Sequence, residues 1–186
     1  AESCQWTKPK QLDCQLNQKM KWSDGSPVVA ADYLRSFHHL LSPVSRSLRS
    51  DLLIHLENAQ EILKGEKKPD KLGVKAITST HLRFHFKEED PEFIYNLVSP
   101  VLAPLKKLPP SSVTDGPSLI TNGPYIIHKW YKGEKVHLKA NKNYWKGQTK
   151  RPDVLIYFIA EDSTALTLYE SGRLQFLRRL PTRYIN

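Results

Sequence analysis

Pro100, Pro104, Pro109 and Pro110, followed by the polar run Ser111 to Gly116, constrain this chain more than any other feature. Proline fixes φ and has no N–H to donate, so neither a helix nor a central strand runs through such a stretch. The spacing predicts that Ser99 to Ser118 is a passage between two structural units, residues 1–110 and 111–186. The first reads as a small unit of hairpins and helices.

Within the first unit, Leu12, Cys14 and Leu16 alternate as in a half-buried strand. Cys4 and Trp6 suit a preceding strand joined to it through Lys8-Pro9-Lys10. The turn signal Ser23-Asp24-Gly25-Ser26-Pro27 then feeds a helix over Ala30 to Leu41, with Tyr33, Phe37, Leu40 and Leu41 on its apolar side. A second helix is expected from about Asp51 to Lys64, striped by Leu52, Leu56, Ala59 and Leu63 and closed by Gly65. Gly73 to Ile77 and His81 to Lys87 form a second hairpin, with Leu82, Phe84 and Phe86 inward. Asp90-Pro91 opens a short helix carrying Phe93, Ile94 and Leu97.

The second unit begins with a hairpin, Tyr125 to Tyr131 and Glu134 to Ala140, turning at Lys132-Gly133 with Val136 and Leu138 inward. Val154 to Ile159 is a nearly continuous apolar run, the pattern of a strand covered on both faces. Glu161 to Thr164 starts a helix that ends at Ser171-Gly172, and Leu174 to Leu177 returns as a strand. Strands and helices alternate, so the fold class is α/β in the mixed α+β sense, mixed sheets with flanking helices.

The formal charge is +9, and eight Lys or Arg fall between His128 and Arg151 against the single Glu134. Interleaved with Trp130, Tyr131, Tyr144 and Trp145, they resemble a single-strand nucleic-acid surface. They fit equally the solvated face of a hairpin whose aromatics point inward, and excess charge alone reports solubility and non-specific attraction, so nucleic acid is the weaker reading. No apolar run approaches the ~20 residues of a membrane-spanning helix. No signal-peptide pattern is present, so an exported form is expected to have lost its leader.

Cys4 and Cys14 are the two cysteines. A hairpin centred on Pro9 sets them opposite each other, where Cα atoms lie within disulfide reach at ~4.5 Å, and the readings are a cross-strand bond or two buried thiols. His81 and His85 are ~13 Å apart on a strand, too far to chelate one ion, and His38 and His39 face different sides of a helix. The sequence implies no metal and no cofactor. The acids Glu88-Glu89-Asp90 and Glu161-Asp162 open helices, where the dipole accounts for them without catalysis. No hydrolase or phosphate-loop motif occurs, so the chain is expected not to be an enzyme.

Four segments in order carry a resemblance: Lys21 to Val28 with Ala30-Ala31-Asp32, Leu72 to Ile77, Thr121-Asn122-Gly123-Pro124-Tyr125, and Asn141 to Trp145. With the Glu161 to Gly172 helix, they resemble the bacterial extracytoplasmic solute-binding proteins that deliver oligopeptides, dipeptides or nickel to ABC importers. The resemblance implies a periplasmic-binding-protein-like type II fold, here partial. Residues 111–186 would belong to the first main ligand-binding lobe, the second lobe being absent.

It further implies a periplasmic or other extracytoplasmic location, a peptide ligand and an ABC permease as partners. It puts Asn122 and Tyr125 near the ligand, Asn122 to bond a peptide backbone and Tyr125 as an aromatic wall. A turn Asn and a core Tyr account for both without a ligand. Val29 stands where relatives carry a capping Thr, a cost of ~1 kcal/mol unless another group replaces it. The chain is less than half a family member's length, which leaves an alternative: a truncated relative that binds a protein partner, an acidic surface or nucleic acid. The sequence carries no signal for an oligomeric state.

Overall fold

The computed structural model describes residues 1–45, 47–108, 116–147 and 152–179. Four antiparallel strands, β1 (Ser3–Lys8), β2 (Gln11–Gln15), β3 (Val74–Thr78) and β4 (His81–His85), form one sheet in the order β1-β2-β4-β3. The two hairpins therefore meet through their second strands, with Leu12 opposite Phe84 and Cys14 opposite Leu82. Alternation sends these four side chains to one buried face, where helix α1 (Ala30–Leu41) covers them with Phe37, Leu40 and Leu41. Phe37 and Phe84 lie 6.0 Å apart, and Phe84 in turn packs against Phe93 at 5.4 Å. The opposite face is polar, and Arg83 donates twice to Asp13, its cross-strand partner, at 2.7 and 2.9 Å.

The start of α1 shows how Val29 is accommodated. Its side chain accepts nothing, but the Asp32 carboxylate reaches back to accept the Val29 N–H at 3.1 Å. The Ala30 N–H donates to the Ser79 carbonyl at 2.7 Å and the Asp32 N–H to the Val29 carbonyl at 2.9 Å, so backbone acceptors take two of the first N–H groups of the helix, one of them within reach of a capping Thr.

The expected helix over 51–64 is divided. Residues Ser50–Leu53 form a 3-10 turn and only Ala59–Leu63 is α-helical (α2). Between them Leu56 bridges to Phe86, Glu57 N–H donates to His85 and Lys87 N–H to His55. Pairing with the end of β4 thus replaces two helical turns, while Leu52, Leu56 and Ala59 are still buried. Gly73 sits inside this pairing. A Cβ there would lie 2.4 Å from the His85 carbonyl oxygen, so only glycine lets the three segments close. Gly65, at φ +77°, ends α2 as expected: its N–H donates to Ile62 and that of Glu66 to Glu61, the paired bonds of a Schellman motif. The short helix after Pro91 is α3 (Phe93–Asn96), with Phe93 buried.

The second sheet has the order β5-β6-β7, from Tyr125–Tyr131, Lys135–Ala140 and Val154–Tyr157, and is antiparallel throughout. It shares no strand with the first. The expected unit boundary between Pro110 and Ser111 lies outside the described residues. Three expectations fail here. β7 is an edge strand with Leu155, Ile156, Tyr157 and Phe158 exposed, because no described element packs over either face. Leu174 to Leu177 is not a strand, since no neighbour offers it a ladder, and Phe176 is 79% exposed. The aromatics of β5 are not turned inward either. Trp130 is exposed, and Tyr131 lies beneath the ammonium groups of Lys129 and Lys135 at 4.7 and 4.9 Å. Helix α4 (Asp162–Glu170) forms as expected and ends at Gly172, φ +74°, in a second Schellman motif.

Candidate functional site

Three of the motif segments, far apart in the chain, converge on one junction between the sheets. Ser23 N–H donates to the Thr121 carbonyl at 2.7 Å, and Thr121 N–H returns to the Ser23 hydroxyl at 3.2 Å. The Asn143 amide donates to the Ser23 carbonyl at 3.0 Å. Buried Asn141 completes the junction: its amide nitrogen donates to Gly123 at 2.8 Å, its oxygen accepts from Asn143 N–H, and its own N–H reaches Pro124. Each polar side chain is used at a site where water is largely excluded, which makes the junction specific in geometry. Trp145 closes it by packing on the first unit's core.

Beside the junction, Asp32 anchors a strap formed by residues 97–105. The carboxylate is buried and accepts from Trp22 Nε1 at 2.9 Å, from Val29 N–H and from Arg35 at 2.8 Å. Arg35 also donates to the Leu105 carbonyl at 2.6 Å, Leu105 N–H donates to the Asp32 carbonyl, and the Ser36 hydroxyl donates to Ala103 at 2.7 Å. One buried charge thus holds the tryptophan of the turn, the helix N-terminus and the strap in a fixed relation. A carboxylate in such a place is tolerated because each oxygen is hydrogen-bonded and one is paired with a guanidinium.

Strap, helix and sheet enclose a cleft of about 270 Å³. Its floor is Cys14, Leu16, Leu82 and Phe84, its wall Tyr33 and Phe37 of α1, and its roof Leu97 to Pro104. Asn122 stands on its edge. Burial, reinforced by the neighbouring Asp32 charge, pushes the Tyr33 phenol above its ordinary value and keeps it protonated.

Of the two ligand candidates, the structure brings Asn122 to this cleft and leaves Tyr125 out of its lining. Tyr125 is half-buried at the start of β5 opposite Ala140. Tyr33 and Phe37 were legible only as a core stripe, because their spacing is the same whether a stripe packs solidly or borders a cleft. Cys4 and Cys14 are register partners, with Cα atoms 4.1 Å apart and their sulfurs joined. Among the described residues, no group of three or more His, Cys, Asp or Glu is placed to hold a metal ion.

The sequence matches the bacterial extracellular solute-binding proteins, family 5 Middle, over residues 1–186. The chain belongs to this solute-binding family. Among curated family 5 relatives, the periplasmic oligopeptide-binding protein OppA of Salmonella typhimurium is 30% identical over 166 residues, covering 86% of this chain and 31% of the relative. The chain thus spans about a third of the length of the curated relatives it matches.

Solved structures agree. The substrate-binding domain of an oligopeptide ABC transporter from Bacillus anthracis superposes with a TM-score of 0.85 at 28% identity, covering 94% of this chain and 35% of that one. Haemophilus influenzae OppA in complex with RPPGFSPFR gives 0.84 at 27% identity, covering 94% and 36%. The mixed α/β arrangement of two antiparallel sheets is therefore that of the periplasmic-binding-protein-like family 5 proteins. No helix among the described residues is long and apolar enough to cross a membrane.

Proposed function

We propose that this chain is part of a peptide-binding component that works outside the cytoplasm, hands its ligand to an ABC permease and does no chemistry on it. The observation that carries this reading is the superposition of 94% of this chain on a relative solved in complex with the peptide RPPGFSPFR. In this reading residues 1–110 form the small hairpin and helix unit and 111–186 contribute to the first main ligand-binding lobe. Asn122 bonds a peptide backbone beside the cleft, and Tyr125 supports it from the start of β5.

Tight capture needs a ligand enclosed on most of its surface with its termini paired to fixed charges. The cleft and junction supply one face, so this chain alone is expected to bind short peptides weakly, with Kd near 1 mM or about −4 kcal/mol. Amide chemical-shift titration with mixed tri- to pentapeptides, at low and high salt, tests it. Saturable shifts around Asn122 that persist at high salt are expected. Shifts that vanish with salt would reflect the +9 charge instead and contradict the reading.

A further inference from the structure

We infer that the cleft beneath the 97–105 strap is a subsite for one apolar side chain of a peptide ligand, and an aromatic one by preference. This rests on the peptide-binding reading and names the class of peptide it favours. Three observations carry it.

The first is chemistry. The cleft is walled by Leu16, Phe37, Leu82, Phe84 and Leu102; no charged side chain lines it, and the one charged group at it is the Ala1 α-amino group. A lysyl group placed there would lose its hydration and meet a charge of its own sign, whereas an apolar ring would exchange water for close contact.

The second is size. An apolar cavity of about 150 Å³ is enough to take up benzene. At about 270 Å³ this cleft has room for a benzyl group and the methylene that ties it to a backbone.

The third is placement. The roof is fixed to α1 by the Ser36, Arg35 and Leu105 hydrogen bonds, so the cleft is held open without a ligand and little ordering cost remains at binding. The edge carries Asn122, whose amide both donates and accepts. It can therefore pair with the peptide unit beside an inserted side chain. Val98, 83% exposed, forms the outer lip.

The test compares Ala-Phe-Ala, Ala-Lys-Ala and Ala-Ala-Ala as probes of the whole chain by amide chemical-shift titration. Ala-Phe-Ala is expected to bind at least about fivefold more tightly than Ala-Lys-Ala, with the largest shifts at Val98, Leu102 and Asn122. Val98→Trp, which puts a bulky ring on the lip of an already exposed position, is expected to reduce the preference for Ala-Phe-Ala to less than about twofold. Val98→Ser serves as a second variant, expected to weaken Ala-Phe-Ala while leaving the melting temperature in place. Tyr95→Ala, at an exposed position outside the lining, is expected to change neither affinity. Equal affinity for all three peptides, unaltered by Val98→Trp, would remove the subsite and leave the peptide reading standing. If no peptide perturbs the spectrum, both fall together.

Discussion

The two sheets of this molecule are drawn from the same alternating sequence pattern, yet they bury it to different extents. In the first, Leu12, Cys14, Leu82 and Phe84 are at most 2% exposed, packed under α1 and against Phe93. In the second, Val136 is the one buried strand residue among those described, and β7 shows Leu155, Ile156 and Tyr157 at 41 to 49% exposure. Alternation fixes which side chains share a face. It says nothing about whether another element is present to cover that face. The first sheet has its cover within residues 30–102, whereas the second has the short 3-10 turn Gly116–Ser118 against Ile127 and Trp130 of β5, too small to close the whole face.

Core truncation should break the comparison most sharply. Phe84→Ala is expected to lose about 3–5 kcal/mol, because the rings of Phe37 and Phe93 border the void it leaves. Val136→Ala should cost about 1–2 kcal/mol, the transfer of two methylenes from a site that is barely closed. Urea unfolding followed by circular dichroism gives both values, and equal losses would erase the distinction.

A smaller effect is expected from the Cys4 to Cys14 link, which closes a loop with a sequence separation of 10 in the first unit alone. Chain-entropy arguments give about 3 kcal/mol for a loop of that size. Intact mass before and after alkylation without reductant should show no labelled thiol, and reduction should lower the urea midpoint by a matching amount. Two labelled cysteines in protein prepared under oxidising conditions would contradict the pairing.

The smallest effect sits on the polar face of the first sheet. The Arg83 guanidinium hydrogen-bonded to Asp13 holds that carboxyl below the usual carboxylate range; partial desolvation opposes this, and the charges of Arg83 and His81 reinforce it. A carboxyl whose folded value is depressed contributes stability above its unfolded pKa of about 3.9 and loses it as pH falls through the folded value. Wild-type stability should therefore decline below about pH 4, and Asp13→Asn should lower stability at neutral pH and flatten that decline, because the contribution it removes is the one present above the unfolded pKa. An unchanged acid limb would assign it to other carboxylates.

Much of the fold is legible in the sequence where the signal is local. The Pro9 hairpin, α1, α4 and the glycine caps at Gly65 and Gly172 follow from spacing and turn chemistry. What the sequence hides depends on distant partners. Leu56 leaves its helical pattern because Phe86 and His85 offer a ladder 30 residues on. Val154 to Ile159 reads as a covered strand because its apolar run cannot report the missing cover. The site divides the same way. Asn122 could be named from its turn motif, but its place beside Tyr33 comes from the Ser23 to Thr121 bonds. The work of Asp32 emerges only when Trp22, Val29 and Arg35 are seen to converge on it.

The direct test of the difference between the sheets is native-state hydrogen exchange across a low range of denaturant. The amides of β2 and β4 should exchange only through global unfolding, with a steep denaturant dependence, while those of β5 and β7 should be protected about a hundredfold less with a shallow dependence. Equal protection in both sheets, rising and falling together with denaturant, would show that the second sheet is as well supported as the first and would contradict the account.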